Sequence, residues 1–361
     1  MARYRDVAAD PKVDLREEGL VYSSDAQPGL RRVRRGRGFV YRDAGHELVR
    51  DRLTLDRIKS LAIPPAWNDV WICASPRGHL QATGRDARGR KQFRYHPRWT
   101  ALRDANKYSR LIGFCAVLPK IRRRVARDLR APELTHEKVI ATIVKLMETT
   151  LIRVGNEEYA RQNRSYGLTT LRDRHAKVRG GTVRLVFRGK SGKDVEAEVT
   201  DRRVARVVKQ CQDLPGQDLF AYVDGNGERR TVPSQDVNEY LRETTGEDYT
   251  AKDFRTWAGT VLAAVALREL EGFASEAEAK HNVVAAIDRV AKRLGNTRAV
   301  CRRSYVHPAV LDSYLDGSLG RKLVRRAEKL LDEVPVTASE ESAVLSLLRS
   351  RLRREARAKA A

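Results

Sequence analysis

A tyrosine, two arginines, a lysine and an asparagine, each beside a helix end, a glycine or a hairpin tip, are the residues best suited to chemistry: Tyr305, Arg153, Arg255, Lys190 and Asn296. Tyr305 closes the basic stretch Arg298-Ala299-Val300-Cys301-Arg302-Arg303-Ser304-Tyr305. A phenol among arginines suits attack on a phosphate, because a cationic field favours both the anionic substrate and the phenolate. A lone tyrosine on a basic helix is more commonly a packing residue below a solvated face, so the assignment depends on the other four.

Each of them sits where local chemistry would hold it. Val283, Val284, Ile287, Val290, Ala291 and Leu294 recur at helical spacing, and Gly295 is a natural left-handed cap that leaves Asn296 in a tight corner. Thr297 caps a second, short helix carrying Tyr305, and His307-Pro308 ends it, since a residue before proline avoids the helical region. Arg153 follows an apolar helix capped by Thr135, with Val139, Ile143, Met147 and Leu151 inward, and it precedes Gly155. An arginine so placed is held rather than left free. Lys190 lies in the tip Gly189-Lys190-Ser191-Gly192-Lys193 between alternating strands over 182–188 and 194–200. Such a lysine is solvated, or it is a proton donor delivered into a groove. Thr250-Ala251-Lys252-Asp253 begins an apolar helix running to Leu267, with Lys252 and Arg255 in its first turn. Basic side chains there oppose the helix dipole, a placement better tolerated where an anion binds.

The chain has 361 residues, enough for two domains with their own cores. Lysine and arginine total 71 against 47 acids, a formal charge of +24, and the pI is 10.2. That excess favours a polyanion partner, and a surface holding phosphates gains by releasing their counterions, so nucleic acid is expected. No apolar run approaches a membrane span, and Met-Ala-Arg-Tyr-Arg-Asp lacks the apolar core of an export signal. A cytoplasmic, nucleoid-associated protein without membrane contact is expected. Cys73, Cys115, Cys211 and Cys301 form no Cys-x-x-Cys pair, the histidines form no His-Glu-x-x-His cluster, and residues 189–193 lack P-loop spacing. The chemistry is expected to run without metal, ATP or another cofactor.

Along the chain, Arg31-Arg32-Val33-Arg34-Arg35-Gly36-Arg37-Gly38 reads as a flexible phosphate-binding arm rather than a solvated edge. Phe39 to Tyr41 is a strand, and Thr54 caps a short helix ended by Pro64-Pro65. Strands over 70–74, 79–84 and 90–95 predict a three-stranded antiparallel meander whose hairpins interleave Arg85, Arg88, Arg90, Lys91 and Arg94 with Phe93, Tyr95 and Trp99. That mixture suits a DNA groove. Long helical patterns begin near residue 100, which sets a domain boundary near 104. Leu168 to Leu171 reads as a strand, a second hairpin joins residues 219–222 and 229–232, and the tail from Ala343 is a basic helix.

Taken together, Ile152-Arg153-Val154-Gly155 with Tyr159 following, Phe187-Arg188-Gly189-Lys190, Lys252-Asp253-Phe254-Arg255-Thr256, and Gly295-Asn296 ahead of Tyr305 resemble the active site of type IB DNA topoisomerases, in the compact branch shared by poxviruses and bacteria. Ile63-Pro64-Pro65, residues 86–92 and Tyr95 extend the resemblance, which covers residues 55–315. It implies that Tyr305 forms a 3′-phosphotyrosyl link, that Arg153 and Arg255 clamp the nonbridging oxygens, that Lys190 protonates the leaving 5′-oxygen, and that Asn296 donates to a nonbridging oxygen where many relatives have histidine. Gln92, Tyr95, Tyr159 and Lys252 match DNA-contact positions of the poxvirus enzymes. Phe93, Asn156 and Glu158 depart from them, which puts the poxvirus target preference in doubt here, and Arg85, Arg88 and Arg94 are candidates to supply phosphate contacts instead.

The expected architecture is therefore α+β. A small β-rich DNA-binding domain, an antiparallel meander plus short helices, spans residues 1–104. A larger, mainly helical catalytic domain with a β-hairpin subdomain, related to the tyrosine recombinase catalytic fold, spans 105–361. The expected activity is relaxation of positive and negative supercoils by a monomer that closes around duplex DNA as a clamp. The rival readings are a tyrosine recombinase, which usually carries His-x-x-Arg where this chain has Lys252-x-x-Arg255, and an inactive DNA-binding protein.

Overall fold

The computed structural model describes residues 15, 19–36, 38–87, 89, 91–270, 272–319 and 337–360. The chain divides into two compact units between Tyr108 and Ser109, within a helix α2 that runs Pro97–Asp128.

The first unit is built on a five-stranded antiparallel sheet in the order β2-β1-β3-β4-β5. Its strands are β1 (Gly29–Arg35), β2 (Gly38–Arg42), β3 (Asn68–Cys73), β4 (Leu80–Arg85) and β5 (Lys91–Tyr95). The expected meander is β3-β4-β5, with Trp71 opposite Thr83 and Thr83 opposite Phe93. The alternation along β3 sends Val70 and Ile72 to one face, with Leu30, Ile58 and Ala82, and Trp71 and Cys73 to the other, with Leu80. Both faces are thus covered. The basic run at 31–35 is a paired strand inside this sheet, not a flexible arm, joined to β2 on one side and β3 on the other. Arg32 turns inward, its guanidinium 4.1 Å over the Phe39 ring and donating to the carbonyls of Pro64 at 3.1 Å and Trp67 at 2.5 Å, while Arg31, Arg34 and Arg35 stay exposed. Helix α1 (Arg52–Ser60) is capped by Asp51, which accepts from the Thr54 N–H at 2.8 Å. Thr54 lies inside the first turn and donates its N–H rather than capping it.

The second unit surrounds α7 (Ala251–Glu269), in which every residue from Phe254 to Leu267 is buried. A helix apolar on all sides belongs at the centre of a bundle. Its start is the expected capping box, Thr250 and Asp253 accepting reciprocally. Against it pack α3 (His136–Thr150), α8 (Glu276–Arg293), α9 (Arg298–Tyr305) and α10 (Pro308–Leu315), while α5 (Arg202–Gln212) and α6 (Ser234–Thr245) pack on α3, and α4 (Glu157–Asn163) follows α3 in the chain. The expected ribbon, β7 (Thr182–Arg188) with β8 (Asp194–Thr200), is widened by β6 (Ala176–Arg179). Strands β9 (Ala221–Val223) and β10 (Arg229–Thr231) form the second hairpin. Leu168 to Thr170 is a 3₁₀ turn, not a strand. The threonine hydroxyls bend it: Thr170 Oγ1 accepts from the Gly167 N–H at 2.9 Å, and Thr169 Oγ1 donates to the Val154 carbonyl at 3.0 Å.

The tail helix α11 (Ala338–Ala360) begins earlier than its apolar pattern suggested and buries Val344 and Leu348 in this core. Glu341, also buried, accepts two bonds from Arg122 at 2.7 and 2.9 Å and one from Trp257 Nε1 of α7 at 3.0 Å. Glu341→Ala strands that indole N–H and both Nη groups of Arg122, so a stability loss of about 2 kcal/mol is expected, read by thermal unfolding. A Tm unchanged from the wild type would show that α11 is not part of the cooperative unit.

Candidate active site

Tyr305 owes its place to a helix break. At the end of α8, Gly295 turns left-handed with φ +61°, letting the N–H groups of Gly295 and Asn296 return to the carbonyls of Lys292 at 3.1 Å and Ala291 at 2.9 Å. Thr297 then caps α9, accepting from the Val300 N–H at 3.3 Å. Cys301 points into the core one turn before the end, so half-buried Tyr305 falls on the same side of α9, as its last residue. Beyond it Val306 is extended and buried, and His307 caps α10, accepting from the Ala309 N–H at 3.0 Å.

Arg153 is held on a short extended segment. Helix α3 stops where Leu151 turns left-handed at φ +58°, and Gly155 bends the chain again at φ +112°. Between them the Arg153 and Val154 carbonyls accept from Leu168 N at 2.9 Å and Thr169 N at 2.7 Å. Gly167 makes the approach possible, since a Cβ there would meet the Arg153 carbonyl oxygen at 2.6 Å. The Arg153 side chain donates from Nη2 to Asn296 Oδ1 at 2.5 Å. Burial makes its charge costlier, and Tyr305 favours it.

Arg255 is 5% exposed. Its Nη1 donates to the Leu151 carbonyl and its Nη2 to the Leu294 carbonyl at 2.6 Å. One guanidinium thus ties the C-terminal ends of α3 and α8 to the first turn of α7. Carbonyls at helix C-termini carry partial negative charge, which offsets the cost of burying the cation. Burial lowers the Arg255 pKa, Arg153 lowers it further, and Tyr305 opposes both through Coulomb attraction and a hydrogen bond. The guanidinium carbon lies 5.3 Å from the Tyr305 ring centroid. Two donors here, Arg255 Nε and Asn296 Nδ2, are buried without a hydrogen-bond partner among the described residues. Buried donors left without a partner are costly, and one on each of two residues that contact Arg153 or Tyr305 suits an anion.

Lys190 stands on the β7–β8 turn, where Ser191 has φ +64° and the Gly189 N–H returns to the Lys193 carbonyl at 2.7 Å. It is exposed and lines the same open cleft, about 580 Å³ in volume, as Arg153, Arg255 and Gly295. Arg153 thus bonds Asn296 and, with Arg255, puts positive charge beside Tyr305, while Lys190 lines the cleft from a separate ribbon. Arg153 and Arg255, neither of them on α9, put positive charge beside the phenol. Arg298 is paired with Asp288 at 2.6 Å, and Arg302 and Arg303 are exposed. Sequence reasoning missed Arg289, Lys292 and Arg293, which line the cleft from α8. Their helical i, i+3, i+4 spacing just before Gly295 was the available signal.

The candidate DNA contacts fall in both units. In the first, Arg85 lies 3.8 Å from Asp69, Gln92 donates to Asp86 at 3.0 Å, Arg94 donates to the Ala62 carbonyl at 3.0 Å, and Phe93 stacks on Tyr95 with ring centroids 6.0 Å apart. Arg88 lies outside the described residues. In the second, Asn156 caps α4 by accepting from the Tyr159 N–H at 2.8 Å, Tyr159 is half-buried, and Lys252 is exposed in the first turn of α7.

The family model for the eukaryotic DNA topoisomerase I catalytic core matches residues 96–326, and that for the bacterial DNA topoisomerase IB N-terminal domain matches residues 38–86. DNA topoisomerase 1B of Acanthamoeba polyphaga mimivirus is 33% identical, over 79% of this chain and 87% of its own length. DNA topoisomerase 1B of Vaccinia virus (strain Copenhagen) is 21% identical over 74% of this chain and 83% of its own. With the catalytic-core match alone spanning well over half of the residues, and including every one gathered around Tyr305, the chain belongs to the type IB DNA topoisomerase family of isomerases.

Proposed function

We propose that this protein relaxes positively and negatively supercoiled DNA by cutting one strand and resealing it through Tyr305. The phenolic oxygen attacks a backbone phosphorus, the bond to the 5′-oxygen breaks, and a 3′-phosphotyrosyl link forms. The released 5′-hydroxyl later attacks the same phosphorus and expels the tyrosine. One phosphodiester is exchanged for another, so the cycle needs no ATP. The grouping of Arg255 over the Tyr305 ring with Arg153, itself bonded to Asn296, carries this reading. Two fixed cations and the free Asn296 N–H match the charge that builds on the nonbridging oxygens in the transition state, electrostatics that other phosphoryl-transfer enzymes take from magnesium. Asn296 supplies a neutral donor, so this position contributes no titrating group. The two units would close around the duplex as a monomeric clamp, with Gln92, Phe93, Tyr95, Asn156, Tyr159 and Lys252 toward the DNA, and Arg85, Arg88 and Arg94 on phosphates.

The deciding experiment incubates plasmids of both signs with enzyme in EDTA without ATP, followed by a denaturing trap for protein-linked ends. Relaxation of both signs with a 3′-linked adduct is expected. Joining of two defined sites would establish a recombinase instead, and binding with no adduct would leave only a DNA-binding protein.

Lys190 is assigned the proton donor to the leaving oxygen. Lys190→Ala should slow cleavage about 10²-fold. A substrate with sulfur at the 5′-bridging position should erase most of that loss, because a thiolate leaves without a proton. An equal loss on both substrates would remove Lys190 from this role.

A further inference from the structure

We infer that Gly259 and Thr260, one helical turn beyond Arg255 on α7, are positioning residues for the nucleophile. The inference rests on Tyr305 being that nucleophile. A Cβ built at Gly259 would meet the Tyr305 carbonyl oxygen at 2.6 Å, the Tyr305 Cβ at 3.1 Å and Leu294 Cδ1 at 3.2 Å. Only glycine lets the backbone of α9 come this close to α7. Thr260, fully buried, then fastens what Gly259 admits: its Oγ1 accepts from the His307 N–H at 3.1 Å and lies 3.4 Å from the Tyr305 carbonyl oxygen. The same hydroxyl is anchored at 2.8 Å to the Thr256 carbonyl of its own helix.

The consequence is a shared reference for two groups that must act together. Residues four apart on a helix share a face and are about 6 Å apart along its axis. Arg255 thus reaches the tyrosine ring from the same face of α7 against which Gly259 receives the tyrosine backbone. The spacing between the phenol and the arginine is set by one rigid helix rather than by the α8–α9 corner alone. Nothing about glycine's helix propensity explains its presence, since glycine is the poorest non-proline residue in a helix interior and alanine would favour the helix. The approach of Tyr305 does.

The test is single-turnover cleavage of a duplex oligonucleotide by wild type, Gly259→Ala, Thr260→Val and Thr260→Ser, with DNA binding and thermal unfolding measured alongside. Gly259→Ala must push the tyrosine backbone outward, and a displacement near 1 Å costs about 10²-fold in rate. The expected result is a cleavage rate constant lowered about 10²-fold, DNA binding within about twofold of wild type, and the same loss in resealing from the covalent complex. Thr260→Val should lose about tenfold and Thr260→Ser should recover most of it, because serine keeps the hydroxyl. Wild-type cleavage rates in Gly259→Ala overturn the inference. Where Gly259→Ala unfolds, the threonine pair decides: Thr260→Val folded and cleaving at the wild-type rate overturns it equally. Absence of any adduct from the wild type in the same assay removes the nucleophile assignment, and the inference with it.

Discussion

Tyr305→Phe is expected to bind duplex DNA as the wild type does while forming no covalent adduct and relaxing no plasmid, a loss of at least about 10⁵-fold. The substitution removes one oxygen. The ring stays half-buried against Arg255, whose two carbonyl partners are untouched, so stability should change by about 1 kcal/mol or less. Retained binding with abolished chemistry separates a missing nucleophile from a damaged fold. The measurement pairs fluorescence anisotropy on a labelled duplex with a denaturing gel for protein-linked DNA. An adduct persisting at wild-type level would mean that another residue attacks, and the roles assigned around Tyr305 would fall together.

Arg255→Ala should fail in two ways at once. Its guanidinium satisfies the terminal carbonyls of both α3 and α8, so alanine leaves the Leu151 and Leu294 oxygens buried without a donor beside a new cavity. A stability loss of about 2–4 kcal/mol is expected. Cleavage should fall more than about 10³-fold, because the loss of a transition-state donor is compounded by release of the two segments carrying Arg153 and Asn296. Arg153→Ala is the control. Among the described residues its side chain donates to Asn296, so it should lose about 10²- to 10³-fold in cleavage with little change in Tm. Arg255→Lys should fall between, since a single ammonium cannot reproduce the planar fork that spans two carbonyls. Thermal unfolding and single-turnover cleavage on the four proteins test the split. A Tm for Arg255→Ala equal to that of Arg153→Ala would show that the carbonyl contacts carry no stability.

The punctuation around the site was legible because it is local. Gly295, Thr297 and His307-Pro308 mark the end of one helix and the limits of the next, and the caps form where their chemistry places them. The Thr250–Asp253 box and the hairpin holding Lys190 were legible for the same reason. Where local signals competed, reading failed. Thr54 and Asp51 are both good caps, and only the observed bond selects Asp51. Leu168-Thr169-Thr170-Leu171 reads as a short strand in isolation, yet its threonine hydroxyls and the approach of Gly167 to Arg153 make it a turn. The run at 31–35 has the charge of a free arm and the pairing of an interior strand, because Arg32 has carbonyls and an aromatic ring to receive it.

By itself, then, the sequence determined the polyanionic partner through net charge, most element limits through caps and breakers, and the family through an ordered set of polar residues. Tertiary structure alone decided what surrounds the phenol. Arg153 and Arg255 come to Tyr305 from distant segments; Arg255 joins helix ends at Leu151 and Leu294; and Gly259 is small because the Tyr305 backbone lies against it. Each of these pairs residues far apart along the chain. Local pattern reports what a segment prefers, whereas the partner of a buried charge or the reason for a missing side chain is set by which segment packs against it.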